Sequence, residues 1–215
     1  MGACNYLIKT NILIKKDMNN IPIYKAIINE FDEGITAISF VEEPAVETCF
    51  VQFSKKKPMK FNIIDKQNKK VIAPIMRCDF PIYRCDNQLG EYYVVYTKET
   101  IEVMARKMLA DKTTDNLNKE HNPNDLMDGV YLEELFIKNI EKGINPIGFE
   151  DVENYSLFGV YTIENEDVWN SIQDGTFTGI SLEGIFTFET QEDEETSDWE
   201  EVYNLLKECL KRNLK

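Results

Sequence analysis

Ser181 and His121 are the residues whose types and spacing point most directly to chemistry. Ser181 sits in Gly179-Ile180-Ser181-Leu182-Glu183-Gly184, a small hydroxyl between glycines that let another backbone come close,. His121, the single histidine of the chain, lies 60 residues upstream. A serine is a weak nucleophile at neutral pH without a base. An imidazole can take its proton and later return it to a leaving amine. If Ser181 is a nucleophile with a histidine base, His121 is the only candidate. The pattern Gly-x-Ser-x-x-Gly is not the Gly-x-Ser-x-Gly elbow of α/β-hydrolases, which turns from strand to helix. Both residues also have plain structural readings. A serine between glycines often ends a strand, and His121 in Lys119-Glu120-His121-Asn122-Pro123 reads as a loop residue.

Other constellations are weaker. Cys78 and Cys85 lack the tight spacing of zinc knuckles, and His121 would bring the set to three ligands at most. No metal site or cofactor is expected. A Cys/His peptidase is conceivable, since five thiols are present, but no cysteine has a supporting local signature. There is no phosphate loop, no His-Glu-x-x-His and no dinucleotide fingerprint.

The elements that must position Ser181 and His121 read as mostly β. In a strand, Ser181 and Glu183 share one face, and Ile180, Leu182, Phe186 and Phe188 the other. Upstream, Tyr6–Ile14, Ile21–Ile28 and Gly34–Val41 read as strands, with a turn at Asp17-Met18-Asn19-Asn20. Phe61–Ile64, Val71–Cys78, Ile82–Arg84, Glu91–Tyr96, Val130–Ile137 and Tyr155–Ile163 follow. Pro74 assigns its strand to an edge or a bulge. Thr97 caps a helix over Lys98–Ala110, with Ile101, Met104, Ala105, Met108 and Leu109 as one apolar stripe. Asp111–Asp128 reads as a polar loop carrying His121. Asn165 caps a short helix that Gly175 closes. The acid-rich run after Phe188 leads into Ser197-Asp198-Trp199-Glu200, a capping-box pattern that opens an amphipathic helix. The fold class is α+β: a β-rich barrel or strongly curved antiparallel sheet flanked by helices, with a C-terminal amphipathic helix. Three parts follow: a β-rich segment 1–57 ending in the basic linker Ser54–Pro58, a core domain 58–188, and an acidic linker with its helix, 189–215.

Composition narrows the function classes. The 24 Lys and Arg against 38 Asp and Glu leave a formal charge of -14, which disfavours nucleic-acid binding because phosphate contacts need clustered cations. The apolar runs are too short to span a bilayer. No signal peptide is expected, since no apolar stretch follows Met1-Gly2-Ala3-Cys4. Tyr6 stands where myristoylation wants Ser or Thr. The five scattered cysteines suit free thiols in a reducing cytosol,.

The order of features resembles the phage prohead serine proteases of the XkdF-like type, relatives of the prohead protease and herpesvirus assemblin group. Four stretches carry the resemblance. The first is Gly34-Ile35-Thr36-Ala37-Ile38-Ser39-Phe40-Val41-Glu42-Glu43-Pro44-Ala45-Val46. The second runs from Ile82-Tyr83-Arg84 through Glu91–Tyr96 into the helix at Glu99-Thr100-Ile101-Glu102. The third is Asn118-Lys119-Glu120-His121 with the Glu133 strand after it. The fourth is Phe158-Gly159-Val160 and Asp167-Val168-Trp169, leading through Asp174-Gly175 into Phe177–Gly184.

The resemblance implies a compact β-barrel protease with His121 as base and Ser181 as nucleophile. Backbone amides around Ser181, at Gly179, Leu182 and Gly184, would serve the oxyanion or substrate backbone. Glu183 and Glu133 are both candidates for a third catalytic member. The implied role is capsid maturation in the host cytoplasm and procapsid interior. There the enzyme would cut scaffolding and major capsid protein segments, and itself. The portal is a further expected partner, a homo-oligomer an expected form, and neither nucleic acid nor membrane an expected partner. The rival reading is a catalytically silent capsid-assembly or scaffold-associated protein with the same fold.

Overall fold

The strands that carry Ser181 and precede His121 belong to one sheet, and a segment far upstream joins them. A computed structural model describes residues 21–28, 34–42, 61–86, 89–185 and 187–189. The expected strand Tyr6–Ile14, the turn at Asp17–Asn20, the linker Ser54–Pro58 and the helix from Ser197 lie outside the described residues. Among the described residues the strands are β1 (Ile23–Ile27), β2 (Gly34–Val41), β3 (Asn62–Asp65), β4 (Lys70–Met76), β5 (Ile82–Asp86) and β6 (Gly90–Tyr96). After helix α1 (Lys98–Ala110) come β7 (Leu117–Lys119), β8 (Asn122–Leu126), β9 (Val130–Ile137) and β10 (Leu157–Ile163). Helix α2 (Glu166–Gln173) then leads into β11 (Gly179–Ile185) and β12 (Thr187–Glu189).

These strands form three four-stranded sheets, ordered β12-β1-β6-β5, β3-β4-β10-β9 and β11-β2-β7-β8. They are open sheets, so the expected closed barrel is not formed; the β-rich α+β character is. Pairing is mainly antiparallel, but β1 with β6 and β2 with β7 are parallel. Strands β1 and β2 come from the segment 1–57, yet they pair with β6, β7, β11 and β12 of the later chain. The sheet that carries Ser181 is thus built from both ends of the described chain.

Pro74 sits inside β4, a strand with a neighbour on each side. It does so at the expected irregularity. The register with β10 jumps from Met76 opposite Leu157 to Pro74 opposite Phe158, and β3 pairs with β4 only as far as Ile72. The missing N–H therefore falls where β3 asks for no ladder bond.

Helix α1 starts as its cap demands, with Thr97 Oγ1 accepting from the Thr100 amide. Thr100 Oγ1 in turn donates to Ala26 O at 2.8 Å, tying the helix to β1. Ile101, Met104 and Met108 are buried, but Leu109 is 61 % exposed. The stripe is narrower than expected. Eight residues beyond Ile101, Leu109 points about 80° away from it, out of the core-facing arc. Asn165 Oδ1 caps α2 by accepting from the amides of Asp167 and Val168, and α2 buries Val168, Trp169 and Ile172. Gly175 follows with φ of +83°, the left-handed geometry that suits glycine,.

The aromatic core fixes β2. Phe40 is fully buried and packs edge-on against Tyr161, with ring centroids 5.4 Å apart, and against Phe177. Because strand side chains alternate, Phe40 pinned on one face commits Ser39 to the other. Gly159 on β10 is a true close approach: an added Cβ would lie 2.8 Å from Leu132 and 2.9 Å from Tyr161.

Candidate active site

Three strands bring a row of polar side chains together. In the registers of β11, β2 and β7, Ser181 lies opposite Ser39, and Ser39 opposite Asn118. All three side chains therefore share one face. Glu183, two residues along β11 from Ser181, joins them there. All three row members are buried, Ser181 at 5 % exposure and Ser39 at none. The sequence places the Ser181 hydroxyl on an exposed face; in the structure Ser181 is buried.

His121 is delivered by a hairpin, not by the long loop expected from the sequence. Lys119 pairs with Asn122 across the two-residue turn Glu120-His121, whose φ values are +47° and +57°. Successive left-handed residues make the primed turn that matches strand twist, a costly backbone for non-glycine residues. Two bonds anchor the turn to β2 and the residue just after it: the Glu120 amide donates to Phe40 O at 3.1 Å, and Glu120 Oε1 accepts from the Glu42 amide at 2.7 Å. Pro123 and the polar run after it hide the strand periodicity of β8, which is exposed along its whole length.

The imidazole meets Glu183 and Ser39. His121 Nδ1 lies 3.2 Å from Glu183 Oε1 and 3.1 Å from Ser39 Oγ. Ser39 Oγ is 2.7 Å from both Glu183 Oε1 and Asn118 Oδ1, and Asn118 Nδ2 donates to Glu183 Oε1 at 2.9 Å. Burial by itself would raise the Glu183 carboxyl. Hydrogen bonds from Asn118, Ser39 and His121 outweigh it and hold the group below its ordinary value,. Glu183 is therefore a carboxylate at neutral pH. A carboxylate only accepts, so the Nδ1–H tautomer is the neutral form that can hydrogen-bond Glu183, and it leaves the lone pair on Nε2.

No hydrogen bond joins His121 to Ser181 among the described residues. Ser39 stands between them, in contact with His121 and opposite Ser181 in the β2–β11 register. The Ile38 amide donates to Asn116 O and the Glu120 amide to Phe40 O, so Ile38 and Phe40 point their backbone groups at β7. Ser39 must then point its own at β11, which makes Ser39 and Ser181 a hydrogen-bonded pair with Cα atoms about 5.5 Å apart. The same alternation directs the Ser181 amide to β2, where the Thr178 amide also donates, to Val41 O at 3.0 Å. That of Leu182 points to the other side of β11, the edge strand of its sheet,.

Glu133 lies elsewhere. It sits on β9 and accepts from Lys70 Nζ and Thr162 Oγ1, which hold its carboxyl low. Cys78 is buried, and burial together with Asp79 pushes its thiol up, the opposite of an activated nucleophile,. Among the described residues, no group of three or more His, Cys, Asp and Glu side chains is placed to hold a metal ion. No described helix is long and apolar enough to cross a membrane.

Sequence reasoning singled out Ser181, His121 and Glu183 but not Ser39 or Asn118. One signal for Ser39 was present: a lone small polar residue in the apolar run Ile38-Ser39-Phe40-Val41.

No curated protein and no solved structure matches the chain. The model of one family, described as "Putative phage serine protease XkdF", matches residues 81–190, just over half of the chain. The match includes Asn118, His121, Ser181 and Glu183, and stops short of Ser39. The chain belongs to this family of phage serine proteases.

Proposed function

We propose that the protein is a prohead maturation endopeptidase in which Ser181 is the nucleophile, His121 the base and Glu183 the orienting acid. The observation that carries this reading is the Glu183 carboxylate at 3.2 Å from His121 Nδ1, on the same sheet face as Ser181. With Nδ1–H directed at Glu183, Nε2 takes the Ser181 proton as Oγ attacks a peptide carbonyl carbon. The carbonyl oxygen becomes an oxyanion, and the outward amide of Leu182 is the donor proposed to stabilise it. Collapse breaks the C–N bond, and Nε2 returns its proton to the departing amine. Water then repeats the sequence on the acyl-enzyme and frees Ser181.

The substrates proposed are the scaffolding and major capsid proteins of the same phage, and the enzyme's own chain, cut inside the procapsid. Family membership supports the protease class; the substrates are inferred from the resemblance to prohead proteases.

One observation favours the silent assembly protein: Ser181 is 5 % exposed and shares no hydrogen bond with His121. Co-expression with the capsid and scaffolding proteins separates the two readings. The protease reading predicts cleaved bands with the wild type and none with Ser181→Ala. Identical uncut bands in both would leave the assembly role standing.

A further inference from the structure

The site contains more polar groups than a Ser-His-acid set needs, and two of them have no role in the chemistry above. Ser39 and Asn118 are both buried, at 0 % and 1 % exposure. Both touch Glu183, and Ser39 also touches His121. A buried hydroxyl and a buried amide are costly unless bonded, so their bonds reveal what they are for.

Counting protons limits the direction of those bonds. Asn118 Nδ2 donates to Glu183 Oε1 at 2.9 Å, which turns Asn118 Oδ1 toward Ser39. Ser39 has one hydrogen and two acceptors at 2.7 Å, Asn118 Oδ1 and Glu183 Oε1,. Whichever receives it, the Ser39 lone pairs remain toward His121 Nδ1 at 3.1 Å. While Ser39 donates to either of those partners, Nδ1 faces two acceptors, which suits an Nδ1–H ring; a bare Nδ1 would set its lone pair against the Glu183 carboxylate and draw the Ser39 hydrogen away from both of its 2.7 Å partners,.

Resting on the triad reading above, we propose that Ser39 and Asn118 are positioning residues that brace the Glu183 carboxylate and lock His121 in its Nδ1–H tautomer, leaving Nε2 as the base. The brace is held by backbone registers: Ser39 of β2 lies opposite Asn118 of β7 and Ser181 of β11. It therefore links the segment before residue 58 to the catalytic strand. It also explains why a small polar residue occupies a fully buried position on β2, next to Phe40 in the core.

The single histidine makes the test clean, because the full chain labelled with ¹⁵N-histidine shows one imidazole. The spectra are taken at pH about 8, above the ordinary imidazole range. The wild type and Ser181→Ala should both show a protonated Nδ1 and a bare Nε2. Ser39→Ala removes the hydroxyl that contacts Asn118, Glu183 and His121, and Asn118→Leu removes the amide that donates to Glu183, so each should move the ring toward the Nε2–H form that a free histidine side chain prefers. Cleavage should fall about 10-fold to 100-fold in kcat, the scale of one hydrogen bond to a charged group, with KM little changed. Thermal midpoints measured alongside show whether each variant is folded. An Nε2–H ring in the wild type, or an unchanged Nδ1–H ring in both folded variants, overturns the proposal. Absence of cleavage by a wild type whose tautomer still depends on Ser39 and Asn118 would defeat the protease reading and leave the brace intact.

Discussion

Glu183 Oε1 stands 3.2 Å from His121 Nδ1, although the two residues belong to elements that meet only through β2. Glu183 comes from the edge strand β11, and His121 from the turn between β7 and β8. The strand between them, β2, lies at the other end of the described chain and contributes Ser39 to the same cluster.

This relationship makes Glu183 the member of the set whose chemistry is easiest to isolate. Glu183→Gln keeps the shape but offers an amide that can present its NH₂ to Nδ1. Wrong-tautomer histidine in a Ser-His-acid site costs about 10⁴-fold in kcat. The expected loss here is about 10³-fold or more, with KM nearly constant. Steady-state cleavage of a scaffold-derived peptide checks it. Glu133→Gln, on the other sheet, should leave kcat unchanged in the same assay.

The lowered carboxyl of Glu183 also carries a pH signature. A carboxyl whose native value lies below its ordinary 4.5 stabilises the fold at all pH values above the ordinary one. That contribution is lost as pH falls through the native value. The denaturant midpoint of the wild type should therefore exceed that of Glu183→Gln at pH 7, and the gap should shrink at pH about 3. A gap that stays constant or widens on acidification would show that the carboxylate is not held by its neighbours.

Thiol chemistry supplies a separate check. Cys85 is exposed, whereas Cys78 is buried with its thiol pushed up by burial and by Asp79. Iodoacetamide on the native protein should label Cys85 and spare Cys78 in peptide mapping, with cleavage unaffected. Loss of cleavage on alkylation, with Ser181→Ala still active, would point to a Cys/His peptidase.

Lys138 tests the scaffold. Its ammonium is fully buried and donates to the carbonyls of Phe149, Glu150 and Val152 at 2.9, 2.9 and 2.7 Å. It fastens the irregular stretch before β10. Lys138→Met leaves those three carbonyls without their donor and should cost about 2–5 kcal/mol in denaturant unfolding. Ser181 and His121 lie on another sheet, so kcat of the folded fraction should hold.

Local rules read much of this fold from the sequence. The caps at Thr97 and Asn165, the strand Gly34–Val41 and the irregularity at Pro74 were signalled by residues within a few positions, and all are present. Three features escaped for a common reason: they depend on distant partners. The turn Glu120-His121 has left-handed backbone without glycine, held by bonds to Phe40 and Glu42. Leu109 is exposed because, among the described residues, its flank of α1 borders a cavity lined by Leu135, Ile137 and Tyr155 instead of packing on them. Ser39 looked like one more strand residue, because only the registers with β7 and β11 reveal Asn118 and Ser181 beside it. The alternation that pairs Glu183 with Ser181 was legible; what Glu183 touches was not.

The identity of the nucleophile is tested most directly by an active-site-directed fluorophosphonate on the full chain, with the adduct located by peptide mapping. The account predicts a single modified residue, Ser181, with labelling lost in His121→Gln and strongly slowed in Glu183→Gln. An adduct on Ser39, or no adduct at Ser181 in a preparation that cleaves its substrate, would contradict it.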